Sequence, residues 1–168
     1  MKKVFLLLVY ILITSCNQEK EMSSIDTVNW EKRKVNIEPK DSLIIGSTYL
    51  SVYSQIYSLD EHKTHDLTVT VSMRNINKTD TIYLNKAEYF DTHGNSIRTY
   101  FDFPIYLKPM ETVEIIIDEI DGEGGTGGNF VFDWKVKQNS LTPFFEGVMI
   151  STSGQQGLSF TTHGVQIE

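Results

Sequence analysis

Apolar and polar positions alternate with period two over most of the chain, the spacing of side chains on one face of a β-strand. Leu67, Val69, Val71 and Met73 alternate with Thr68, Thr70, Ser72 and Arg74, which predicts a half-buried strand. Ser47–Ser58 reads the same way, with Leu50, Val52 and Ile56 on one face and Tyr49, Ser51, Tyr53, Gln55 and Tyr57 on the other. Over 81–91 the apolar phase slips between Leu84 and Ala87, and a β-bulge at Asn85–Lys86 would restore it. His93-Gly94-Asn95 then turns the chain into a strand at 97–103, a hairpin pattern. Pro104–Pro109 reads as a crossing loop, and 113–120 is apolar on both faces, as for a buried central strand. Phe130, Phe132, Trp134 and Val136 share one face of the next strand, and 144–152 and 158–167 supply the last two.

No segment carries a sustained helical period. Short strands with a turn signal about every ten residues predict an all-β domain over 43–168. The expected architecture is a single antiparallel β-sandwich, immunoglobulin-like but without its disulfide, with about seven to eight strands. A small β-barrel is the alternative.

The first 16 residues break this pattern. Lys2 and Lys3 precede an unbroken apolar run at 4–13, too short to span a bilayer, and Ile13-Thr14-Ser15 leads to Cys16. That is a signal-peptide pattern over 1–15, and its ending resembles the bacterial lipobox. Cys16 is the only cysteine, so no internal disulfide forms. The expectation is that it is lipidated and becomes the new N-terminus. Anchoring by several acyl chains holds firmly where one holds marginally. Residues 16–42 read as the lipidated Cys and a flexible polar tether, with an r.m.s. span of roughly 30 Å. Trp30, within it, is expected to pack on the domain edge.

Charge narrows the partners. The 168-residue chain carries a formal net charge of −7, and loss of Lys2 and Lys3 with the leader takes it to −9. An acidic domain argues against nucleic acid. The expected location is the cell envelope, anchored by lipid to the outer membrane of a Gram-negative bacterium. The expected partners are that membrane and an envelope protein or glycan.

Few stretches offer chemistry. Gly122-Glu123-Gly124-Gly125-Thr126-Gly127 fits G-x-G-x-x-G, but a strand follows where the dinucleotide motif needs a helix. The reading preferred is a glycine-rich connection whose backbone needs positive φ. Beside it Asp118, Glu119, Asp121, Glu123 and Asn129 offer hard oxygens, a candidate calcium site with spacing unlike the EF-hand. Tyr49, Tyr53 and Tyr57 would share a strand face at intervals of about 13 Å, a candidate ligand platform if uncovered. His62 and His65 read as loop-borne surface histidines, since zinc needs three or four ligands. No G-x-S-x-G elbow is present, and Cys16 is committed to the anchor, so an enzyme is not expected. Asp26-Thr27-Val28, Asp41-Ser42-Leu43 and Asp80-Thr81-Ile82 resemble an Asp-Ser/Thr-apolar O-glycosylation motif, with Thr27, Ser42 and Thr81 as candidate acceptors.

Six patches in order carry a resemblance: VYSQIY (52–57), Arg74-Asn75, YFDTHG (89–94) with Arg98, GGTGGNF (124–130) with Trp134, EGVMI (146–150) and QGLSF (156–160). Together they resemble the bacterial family known as domain of unknown function 3124, over about 45–167. The resemblance implies export and a domain boundary, and no mechanism. The functional expectation is therefore a lipid-anchored envelope protein that is a non-catalytic protein-interaction or positioning module. The alternative is a β-sandwich binding a glycan or small ligand, with calcium as its one candidate cofactor.

Overall fold

The structure, a computed structural model, describes residues 28–38, 42–152 and 157–168. Twelve strands form among them: β1 (Leu43–Val52), β2 (Gln55–Ser58), β3 (Asp60–Asp66), β4 (Thr68–Arg74), β5 (Ile82–Phe90), β6 (Ser96–Phe101), β7 (Ile105–Leu107), β8 (Thr112–Ile117), β9 (Gly128–Lys137), β10 (Phe144–Ser151), β11 (Leu158–His163) and β12 (Val165–Gln166). Helical structure among the described residues is limited to two short 3-10 turns, Trp30–Arg33 and Gly125–Gly127. A six-stranded antiparallel sheet runs β12-β1-β9-β5-β6, with β7 also pairing β5. A four-stranded sheet runs β11-β10-β4-β8, and β2-β3 is a separate hairpin. Neither large sheet closes, so the architecture is sandwich-like rather than a barrel.

The core follows from the period-two pattern. The register sets Leu84 opposite Trp134, Ala87 opposite Phe132 and Tyr89 opposite Phe130. The pairing shifts between Leu84 and Lys86, so the bulge expected there keeps Ile82, Leu84, Ala87 and Tyr89 all on the buried face. From the other sheet come Val69, Val71, Met73, Val113, Ile115, Ile117, Phe145 and Met149, all buried. An aromatic column ties the layers together. Tyr89, Phe130, Phe132 and Phe145 stack in sequence with centroid separations of 4.7, 5.4 and 4.3 Å.

Several elements differ from the sequence reading. The count of seven or eight strands is exceeded because short strands hide in apparent loops. Pro104–Pro109 contains β7, which pairs with the first half of β5 while β6 pairs with the second half. The 158–167 segment divides at Gly164 into β11 and β12, which belong to different sheets. A side chain at Gly164 would lie 2.7 Å from Thr48 and 3.1 Å from Phe145, so the crossing needs glycine. β8 is an edge strand rather than a central one, with Ile116 only half-buried and Ile120 exposed beyond it.

Residues 28–35, read as tether, are docked on the sheet. Trp30 packs on Phe101 at 4.9 Å, Val35 N–H donates to Pro104 C=O, and Lys34 bridges to Ile105. Trp30 thus sits on the domain edge, as expected. Elsewhere a buried side chain fixes the loops. Asn75 donates to the carbonyls of Asp80, Leu107 and Lys108 and accepts from both nitrogens of Asn77.

Candidate functional site

At one end of the sandwich, three of the patches noted in the sequence converge. The break between β1 and β2 brings Ser54, the β5–β6 turn brings Thr92, and the glycine stretch crosses between them. Gly125 takes φ +66°, a conformation that disfavours any Cβ. The stretch is held mainly by side chains reaching its backbone. Ser54 Oγ donates to Gly125 C=O at 3.2 Å, Thr92 Oγ1 donates to Gly124 C=O at 3.0 Å, and Gly127 N–H donates back to Thr92 Oγ1 at 3.0 Å.

Arg98 on β6 pins the start of this stretch. Its Nη1 donates to Asp121 at 3.0 Å and to the Tyr100 hydroxyl at 3.1 Å, while Nη2 donates to Glu123 at 2.8 Å. The Asp121 side chain is wholly buried and Arg98 is 15% exposed, so this is a desolvated pair rather than a surface one. Burial works against the guanidinium charge, but Tyr100 and Asp121 outweigh it and hold Arg98 firmly protonated. Burial pushes the Tyr100 phenol up, with Arg98 pulling the other way. Burial pushes the Tyr89 phenol far up, opposed by the Ser54 hydroxyl, and no hydrogen bond of ordinary geometry reaches its oxygen. Chemically, this end is an ion-paired clamp on a glycine loop.

The candidate calcium residues meet that clamp. Asp121 and Glu123 both spend their carboxylates on Arg98. Asp118 caps the turn by accepting from Ile120 N–H, and Asn129 lies on β9 between Ser51 and Phe90. Among the described residues no group of three or more His, Cys, Asp or Glu is placed to hold a metal.

The tyrosines do not form one stripe, because the chain breaks at buried Ser54 and the 47–58 strand becomes two. Tyr49 is on β1, Tyr53 is at the break against Phe160 (5.8 Å), and Tyr57 is on the β2–β3 hairpin. His62 and His65 are on β3, an exposed strand rather than a loop. Ser42 is exposed beside β1 and Thr81 is half-buried before β5. Cys16 and Thr27 lie outside the described residues.

A further surface was not singled out in the sequence. Ile45 and Tyr49 point outward from β1, Val165 pairs with Tyr49, and Ile167 N–H donates to Ser47 C=O. The four side chains therefore share the outer face of the sheet edge. Their exposures are 68% for Ile45, 38% for Tyr49, 62% for Val165 and 53% for Ile167. Val131 adjoins Tyr49 on β9 and is half-buried. Ser47 lies between Ile45 and Tyr49 on this face and donates to Asp133 at 2.6 Å, and Lys86, paired with Asp133, is bonded to Glu88. The signal in the sequence was the outward period of Ile45 and Tyr49 and of Val165 and Ile167, which has no meaning until the two strands pair.

Comparison with known proteins adds a family. No curated protein matches the chain. Among solved structures, the crystal structure of Thermotoga maritima 1070 is similar with a TM-score of 0.43 and 8% identity, covering 71% of this chain and 94% of that one. A likeness that distant carries nothing about activity. The model of the family described as "Protein of unknown function (DUF3124)" matches residues 45–167, most of the chain, and the protein belongs to that family.

Proposed function

We propose that this protein is a lipid-anchored component of the bacterial cell envelope whose sandwich docks a partner protein without catalysing a reaction. The observation that carries the reading is the outward apolar patch of Ile45, Tyr49, Val165 and Ile167. Exposed apolar side chains gathered on one sheet face among polar groups are common at protein-interaction faces. The acidic chain and the lipobox-like approach to Cys16 support an anchored domain presented to the envelope space. The two open sheets of unequal size also support an immunoglobulin-like reading of the sandwich, an architecture suited to presenting such a face.

The test is site-specific photo-crosslinking in native membranes, with the crosslinker at Tyr49 or, as control, at exposed Thr161 on β11. One dominant adduct is expected from Tyr49 only, and Val165→Asp should abolish it. Adducts equal at both positions, or insensitive to Val165→Asp, would remove the docking role. Fractionation of Cys16→Ser tests the anchor separately: the variant should become soluble, and continued sedimentation with membranes would sink that half.

A further inference from the structure

On the other edge of the six-stranded sheet lies an open groove of ≈ 450 Å³, lined by Val28, Asn29, Trp30, Glu31, Tyr100 and Phe103. Three aromatic residues and one acidic residue therefore line one small space. The walls are fixed in advance. Trp30 is seated on Phe101 at 4.9 Å, Phe103 packs on Phe101 at 6.4 Å, and Tyr100 stacks on Phe130 at 5.8 Å while accepting from Arg98.

A cation already contacts two of the lining residues. The Lys34 ammonium lies 4.4 Å from the Phe103 ring centroid and 3.4 Å from a Glu31 carboxylate oxygen. It is held as an ammonium ligand would be, between a π-face and an anion. The nearby Arg98 charge does not oppose this, because Asp121 and Glu123 together exceed it. The overall charge of −7 adds a favourable field.

We propose that the Trp30–Tyr100–Phe103 groove is a binding site for a small soluble organic ammonium ion, with Lys34 as its internal competitor. The aromatic faces take the alkylated nitrogen and Glu31 supplies the counter-charge. Trimethylammonium compounds fit best, since their methyl groups carry the charge against the rings without hydrogen bonds to lose. The groove has room for one such ion together with water.

Trp30 reports binding directly, because Trp134 is buried and donates to Thr48 at 2.9 Å, so its emission is a constant background. The full chain is titrated with choline, with tetramethylammonium and with the neutral tert-butyl isostere of choline. The two cations should change Trp30 emission saturably, and the neutral isostere should not. Lys34→Gln should tighten choline binding about two- to fivefold and Glu31→Gln should weaken it similarly, the scale of one cation–π or surface ion contact. Equal responses to choline and its neutral isostere would show a merely apolar groove and overturn the proposal. So would the absence of saturation in both the wild type and Lys34→Gln, or choline binding no tighter in Lys34→Gln than in the wild type. Circular dichroism of each variant confirms that the sheet is intact.

Discussion

Gly124 lies directly against the Tyr89 hydroxyl: a Cβ on Gly124 would stand 1.7 Å from that oxygen. The glycine is needed there for space rather than for backbone freedom, since its φ is −68°. Gly124→Ala should therefore cost about 1–3 kcal/mol, the range of overpacked cores. Tyr89→Phe should be neutral or mildly stabilising, because it deletes a buried hydroxyl that lacks a well-formed bond. In the double variant the loss should shrink, as contacting residues couple. Urea midpoints of the four proteins check this, and strict additivity would refute the contact.

Arg98 and Asp121 form the other fixed point of the same loop. Arg98→Met leaves the Asp121 carboxylate buried and unpaired, a loss of about 3–5 kcal/mol. Pairing it with Asp121→Asn should recover a large part, because a neutral amide is far less costly to bury than a lone charge. Equal unfolding midpoints for the single and double variants would contradict this account of the clamp.

Calcium provides a separate check on the glycine loop. Arg98 already engages both the Asp121 and the Glu123 carboxylate, so thermal melts with calcium and with chelator should coincide. A calcium-dependent rise in Tm would mean that the loop rearranges to release both carboxylates, and would make the site a metal centre.

Acid should undock residues 28–35. Glu111 accepts from Arg33 at 2.9 Å and from Lys108 N–H at 2.7 Å. Burial pushes its carboxyl up, but the Arg33 and Lys108 hydrogen bonds and charges outweigh that and hold it below its ordinary value of 4.5. A carboxyl with a lowered folded pKa stabilises the native state above its unfolded pKa, and that contribution is lost as the pH falls through the folded value. Acrylamide quenching of Trp30 should therefore be flat above about pH 5 and rise as the pH drops below the ordinary carboxyl range. Glu111→Gln should show raised quenching at neutral pH and a weaker acid transition. A quenching curve unchanged by that variant would show that the Arg33–Glu111 pair does not hold the segment.

The sequence alone determined several of the longer strands and their buried faces. The alternation in Leu67–Met73 and Phe130–Val136, the phase slip at Asn85–Lys86 and the turn at His93-Gly94-Asn95 were all legible, because each is set by backbone geometry within a few residues. Neighbours across the sheet were not. That β8 is an edge, and that Gly164 passes the chain from one sheet to the other, depend on pairings between distant segments. The Tyr49–Tyr53–Tyr57 stripe failed for a related reason. Ser54 is drawn inward to hold Gly125, a contact 71 residues away that no local pattern encodes. The Arg98 clamp and the Ile45–Val165 patch arise the same way. Local alternation is a property of one strand, whereas a site or an exposed patch belongs to whichever strands the tertiary fold makes adjacent.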